Sequence, residues 1–292
     1  MTDMKIPPEL AQTLATTVEC GSLEAAAKAL HVTQSAVSQR LQTLERLTGQ
    51  VLLVRSRPVR ATPAGEVVVR FARQVAHLDD QASANLGIAD AQHRSIAIGV
   101  NADSLATWFL APLARLTARH AVTFELHRDD EGRTADLLAN GTVVAALTTQ
   151  RDPVPGCTVT PLGNVEYRAV ASPDFVARWF ADGLSAEAFE HAPVIDLDSH
   201  DTLQSQYLEG VGADPSSSPR HRIPASADFV RAIELGMGWG VLPRLQYLGR
   251  ETLTELGGST VRVPLYWQQW RVHSELLGQV ADEVAREAAA QL

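Results

Sequence analysis

The chain has 292 residues, 45% hydrophobic and 20% charged, with a formal net charge of −9. That length exceeds one ordinary core and suits two or three domains of a soluble globular protein. No stretch approaches the roughly 18 uninterrupted apolar residues of a membrane span. Residues Met1 to Pro8 lack the apolar run of a secretory signal. Cys20 and Cys157 are far apart in sequence and expected in separate domains, which argues against a disulfide framework and for a reducing cytoplasm.

Ile6, Leu10, Leu14 and Val18 recur every fourth residue and predict an amphipathic helix, one wall of a small N-terminal core. Residues 22 to 46 then read as two short helices with a tight break at His31-Val32. Ser22 suits the N-cap of the first, because its hydroxyl can take an orphan amide. Thr33 suits the cap of the second, whose buried side is Val37, Leu41 and Leu44. The opposite side carries Gln34, Ser35, Ser38, Gln39 and Gln42. These short groups donate and accept together, as the edges of base pairs in the major groove require. The plain alternative is a solvated amphipathic helix pair.

Gly49 stops the second helix. The β-prone run Val51-Leu52-Leu53-Val54 turns through Arg55-Ser56-Arg57-Pro58 into Val59-Arg60-Ala61, which predicts a two-stranded wing. Arg55, Arg57 and Arg60 would lie against phosphates or reach the minor groove, unless they only solubilise a loop. The acidic total divides unevenly along the chain. Residues 21 to 62 hold six basic side chains against Glu24 and Glu45, whereas residues 92 to 292 hold 16 arginines against 25 acids. Phosphate attraction acts within about 8 Å in physiological salt, so the local positive balance decides.

Thr62-Pro63 opens a long helix over 63 to 87. Its stripe includes Val68, Phe71, Val75 and Leu78, and a stripe without a partner in so small a domain predicts pairing with a second copy. Packing on the chain's own C-terminal domain is the alternative. Two paired copies would set two second helices about one DNA turn apart, or a multiple of it, on a roughly palindromic operator in double-stranded DNA.

Residues 88 to 94 read as a polar hinge. Beyond them β-prone and helical runs alternate, the pattern of an α/β fold. Strands are predicted at 95–99, 122–126, 143–147, 167–171, 193–196, 222–223, 240–242 and 265–272. Helices are predicted at 103–119, 133–139, 173–181, 200–208, 226–236 and 275–290. Ligands of such sheets sit beyond the carboxyl ends of strands, where helix N-termini present amides. Asn101, Ala102, Asp103 and Ser104 fall at one such end and suit a carboxylate, although Asp103 could serve only as an N-cap. Thr148 and Thr149 end a strand at the same rim, and Ser226 and Asp228 open a later helix.

Catalysis finds little support. Lys5 and Lys28 are the only lysines, so residues 62 to 292 offer no Schiff-base amine. No Gly-x-Ser-x-Gly, Walker loop or His-Glu-x-x-His occurs, and the nine histidines show no metal-ligand spacing. No cofactor or metal is expected.

Ala25-Ala26-Ala27 followed by Thr33-Gln34-Ser35-Ala36-Val37-Ser38-Gln39-Arg40 and Leu44-Glu45 resembles the helix-turn-helix of LysR-type transcriptional regulators. Gln34 to Arg40, Gln50 to Arg55 and Val100 to Trp108 are similar to the ArgP/LysG branch of that family. The resemblance spans nearly the whole chain and is strongest over the first 110 residues. It implies a winged helix-turn-helix over 1–62, a linker and dimerisation helix with hinge over 63–91, and a periplasmic-binding-protein-like α/β effector domain over 92–292. The effector domain would have two lobes, 92–164 with 267–292 and 165–266. It also implies a homodimer or dimer of dimers, control of basic amino-acid export, and lysine, arginine or a relative as effector. Thr33, Gln34, Ser35, Ser38, Gln39, Arg40, Gln42, Arg55, Arg57 and Arg60 would meet DNA. A basic effector needs carboxylates at its distal cation, and Asp196, Asp198, Asp201 and the run Asp129-Asp130-Glu131 are candidates, with plain acidic loops as the alternative. A neutral, aromatic or imidazole-bearing amino acid, or an aromatic acid, would be a different effector of the same fold. A stand-alone amino-acid-binding protein or an enzyme is the reading from another class.

Overall fold

A computed structural model describes residues 5–54, 56–86, 94–129, 133–272 and 274–292. The chain divides into two compact units. One holds Met1–Ile98, Ala121–Glu125 and Asp136–Ala145, the other Gly99–His120, Leu126–Ala135 and Ala146–Leu292. The first unit therefore takes in segments beyond the expected boundary at residue 92. No helix among the described residues is long and apolar enough to cross a membrane.

The first unit opens with α1 (Pro8–Cys20), α2 (Leu23–Ala29) and α3 (Gln34–Thr48). Ser22 Oγ accepts from Ala25 N at 3.1 Å and Thr33 Oγ1 from Ala36 N at 3.2 Å, so both predicted caps are formed. His31 takes φ 54 at the break, and Gly49 ends α3 at φ 67. Strands β1 (Leu53–Val54) and β2 (Arg60–Ala61) pair antiparallel as a wing. Val59 N donates to Gly21 O at 2.9 Å, tying the wing to the end of α1.

Helix α4 (Pro63–Asn85) starts on the Thr62 cap, which takes Gly65 N at 3.0 Å. A Cβ on Gly65 would lie 2.0 Å from Leu52 O, so only glycine lets the helix start against the wing. Val37, Leu41, Leu44, Leu14 and Leu52 form one core with Val68, Val69 and Ala72 of α4. This corrects the expectation for Val68, which is 3% exposed, and for Phe71, which packs against the same core. The stripe's first half is consumed inside its own unit because α1 lies against it. Val75 is half-buried, whereas Leu78 and Leu86 are 46% and 72% exposed.

The α/β part runs through β3 (Arg94–Val100), α5 (Ala102–Thr107), α6 (Leu110–Thr117), β4 (Val122–Arg128), α7 (Thr134–Ala139), β5 (Ala145–Thr148) and β6 (Cys157–Ala171). It continues with α8 (Pro173–Trp179), α9 (Ala186–His191), β7 (Val194–Asp196), α10 (Leu203–Gly210), β8 (Arg220–Arg222), α11 (Ser226–Glu234) and β9 (Gly240–Pro243). It closes with α12 (Arg244–Tyr247), β10 (Thr254–Glu255), β11 (Val261–Trp270) and α13 (Glu275–Gln291). The main sheet has the order β10-β6-β11-β5-β3-β4, with β9 also on β6, and β7 and β8 form a parallel pair.

Three differences from the sequence reading have physical causes. The predicted helix 103–119 is two helices, because an unbroken one would need an amide from Pro112 to Trp108 O. The strand expected at 167–171 begins at Cys157, since Pro161 falls where the ladder is already irregular. Its partner register slips there, Leu265 facing Gly163 and Tyr266 facing Pro161. Helices α9 and α12 and strand β10 were not foreseen, being too short to show a period.

In the second unit Glu283 of α13 is 6% exposed and meets Arg119, Arg115 at 3.0 Å and Arg286 at 2.7 Å. These guanidinium groups, Arg119 foremost, hold its carboxyl at about 2. A depressed folded-state value means the contribution is complete above the ordinary value of 4.5 and is lost as pH falls towards 2. Glu283→Gln should therefore lower the melting temperature near neutral pH. In circular dichroism melts, its gap from the parent chain should close as pH drops through that window.

Candidate functional site

The polar side of α3 is set by what its other side buries. At about 100° per residue, Gln34, Ser35, Ser38, Gln39 and Gln42 occupy about 140° of the helix surface. Val37, Leu41 and Leu44 lie outside that arc and are buried in the core. Gln34, Ser35, Gln39 and Gln42 are exposed and Ser38 is half-buried. Thr33 Oγ1 and Ser35 Oγ lie 2.9 Å apart at the helix start. Arg40 stands apart from this arc and donates from Nη1 to Thr13 Oγ1 of α1 at 3.4 Å. Arg57 and Arg60 are exposed on the wing. Arg55 lies outside the described residues. Arg46, which was not singled out beforehand, is exposed on the polar arc and donates from Nη2 to Thr43 Oγ1 at 3.1 Å.

The second unit contains a cleft of about 570 Å³, within the usual span for small-molecule sites. Asn101, Ala102, Asp103, Thr149, Asp198 and Asp201, all expected at a binding site, line it together, as does Ser226. They come from three strand ends and two helix starts, brought to one place by the tertiary fold. Asn101 is the N-cap position of α5 without a side-chain capping bond, so Asp103 is not the cap that it could have been. Asp103 instead accepts the Tyr167 hydroxyl at 3.0 Å.

Several expected residues do not line the cleft, among them Asp228 in the first turn of α11. Ser104 is 2% exposed and lines a separate small cavity, which Asp103 also borders, because its position on α5 turns it away from the cleft. Thr148 is 1% exposed and accepts from Gln150 N at 3.0 Å; neighbours at a strand end face opposite ways, so Thr149 takes the cleft. Asp196 is buried against Arg220 at 2.7 Å. Asp129 stands 3.6 Å from Arg133 and does not line the cleft, and Asp130 and Glu131 lie outside the described residues.

The two remaining carboxylates organise their own loop. Asp198 Oδ1 accepts from His200 N at 2.6 Å and Asp201 N at 3.1 Å. Asp201 accepts from Leu197 N at 2.8 Å and Leu203 N at 3.1 Å. Burial pushes the Asp201 carboxyl above its ordinary range, against the pull of those amides. The sequence reading missed the apolar wall of Phe229, Val241, Leu242, Val263 and Pro264, and the cationic rim of Arg133 and Arg262. Arg262 also pairs with Glu166 at 2.9 Å. No local pattern marks these residues, which reach the cleft through strand pairing of β9 and β11 and through the packing of α11 and the segment before α7.

A winged helix-turn-helix joined by a long helix to an α/β part with a small-molecule cleft defines a ligand-responsive DNA-binding regulator. Residues 8–66 match the bacterial regulatory helix-turn-helix protein, lysR family, and residues 89–289 match the LysR substrate binding domain. The chain belongs to the LysR family, whose members are transcriptional regulators and not enzymes. It is 42% identical over 290 residues to the HTH-type transcriptional regulator LysG of Mycobacterium tuberculosis, covering 97% of this chain and 93% of that one. The crystal structure of ArgP from Mycobacterium tuberculosis superposes with a TM-score of 0.89 at 40% identity, over 98% of both chains. Full-length LysG from Corynebacterium glutamicum with bound effector Arg gives 0.81 at 34% identity, over 98% of this chain and 99% of that one.

Ser38 lies centrally on the polar arc, so Ser38→Arg should abolish gel shift of the duplex upstream of the chain's own reading frame. Its melting curve should match the parent's. Undiminished affinity would remove Ser38 from the DNA face.

Proposed function

We propose that this regulator senses a basic amino acid, arginine or lysine, and controls an exporter gene for such amino acids. The observation that carries this is the pairing of Asp198 and Asp201 in one cleft with the uncapped start of α5. The amides of Ala102 and Asp103, with the Thr149 hydroxyl, meet the α-carboxylate. Asp198 and Asp201 meet the distal cation, and the apolar wall covers the methylenes between. The Corynebacterium glutamicum relative solved with bound Arg supports this reading. A neutral or aromatic effector would leave the half-buried Asp201 without a cation to balance it.

DNA is met by the polar arc, with Thr33, Gln34, Ser35, Ser38, Gln39 and Gln42 at base edges. Arg40, Arg57 and Arg60 lie at phosphates, and Arg55 is assigned with them. Two copies pair through the outer half of α4, by Val75 and Leu78, with Leu86 just beyond its end, and occupy a roughly palindromic operator; a dimer of dimers is the larger assembly.

A thermal-shift screen of the twenty amino acids should single out arginine and lysine. In calorimetry Asp198→Ala should weaken these at least about tenfold and neutral amino acids less, since losing a charge partner costs a cation more than a neutral contact. Equal loss for both classes would reject the assignment. The raised Asp201 carboxyl predicts that arginine affinity falls as pH drops into the acid range, because the cation needs the ionised form. Leu78→Glu should give monomers in light scattering, because the side chain is exposed in the lone chain and buried only by pairing.

A further inference from the structure

Two arginines of α4 leave the winged core and grip the end of another helix in the same unit. Arg70 Nη1 donates to Ala139 O at 3.1 Å, and Arg73 Nη1 donates to Asn140 O at 2.9 Å and Thr142 Oγ1 at 3.4 Å. The same Arg73 guanidinium donates from Nε and Nη2 to Glu19 Oε1 of α1, at 3.2 and 3.0 Å. One side chain thus joins the last turn of α1 to the turn that follows α7.

The chemistry of the contact is directional. Ala139 ends α7, where carbonyls lack intrahelical donors and the helix dipole is negative, so cations are favoured there. Asn140 Oδ1 accepts from Thr142 N at 2.8 Å and Thr142 Oγ1 at 2.6 Å, closing a turn over Gly141 at φ 79. The acceptors are therefore held in a fixed array that a planar five-donor fork can match and an ammonium cannot. At its other end α7 is pinned by Thr134 Oγ1 donating to Leu147 O at 2.8 Å, and the preceding residue is cleft-lining Arg133.

We propose that Arg70 and Arg73 form a latch from α7 to the DNA-binding domain, through which the state of the cleft is passed along α7 to α1 and α4. The Arg73 side chain is 24% exposed and that of Glu19 49%, so water can compete for these bonds. Partly solvated pairs of this kind are individually weak, within what a ligand's preference for one arrangement can undo. A wholly buried brace could not be.

The latch rests on the proposed effector only for one probe, L-arginine. Full-length Arg73→Ala and Glu19→Gln should bind arginine within about twofold of the parent in calorimetry. The arginine-induced change in operator affinity should shrink at least about fivefold, the lower end of ordinary allosteric coupling. Hydrogen exchange gives the second measurement, without effector. Amides of 141–144 should exchange faster in both variants, and Glu19→Gln should add nothing in the Arg73→Ala background. Full arginine coupling in Arg73→Ala overturns the latch, as does unchanged exchange over 141–144. If the parent chain answers no amino acid, the effector reading fails and the exchange data alone decide the latch.

Discussion

The cleft depends on the ladder between β6 and β11. Val261 to Trp270 pairs with Tyr167 back to Cys157, and one register slip near Pro161 and Gly163 is the only irregularity in that pairing. Tyr167, fully buried on β6, carries its hydroxyl to Asp103, while Arg262, Val263 and Pro264 of β11 line the cleft directly. On its other edge β6 pairs with β9, which supplies Val241 and Leu242. A shift of one residue would turn each of these side chains to the opposite face. Leu265, Trp267 and Trp270, all buried, oppose such a shift because their large side chains fit only one register.

A comparable economy governs the first unit. Helix α4 begins as core and ends as surface. Val68, Val69 and Ala72 hold it to α1 and α3, while Leu78 and Leu86 stand in solvent. Burial on one side of α3 is what presents glutamine and serine on the other. Glu45 reinforces the arrangement by taking Leu52 N at 2.9 Å, which ties the wing strand to the helix before it. The polar arc and the wing arginines are therefore held by the same small core, and their spacing follows from it.

The charge distribution gives the two functions separate fields. The positive balance of residues 21 to 62 surrounds the polar arc of α3. In the second unit several acids are occupied structurally. Asp196 neutralises Arg220, and Glu283 gathers Arg115, Arg119 and Arg286. Among the described residues Asp103, Asp198 and Asp201 are the carboxylates that line the cleft. An acidic composition by itself could not have told these roles apart.

The helices, caps and wing of the first unit were legible because they obey local rules. A hydroxyl three residues before an amide caps a helix, and apolar residues at every third or fourth position bury one side. Those rules act within a turn or two of chain, and for residues 8 to 62 they were enough. The family resemblance likewise lay in contiguous residues. What the sequence could not decide was which side of a strand or helix end each candidate would face. Thr149 or Thr148, Asp198 or Asp196, Asp103 or Ser104 are near neighbours with the same chemistry, and only pairing across the sheet separates them. The same holds for Val68 against Leu78, where contact with α1, made by residues some fifty positions earlier, decides which part of the stripe is core. Arg262 reaches the cleft by strand pairing and Phe229 by the packing of α11; both, unlike helix periodicity, are relations between parts of the chain that carry no mark of one another.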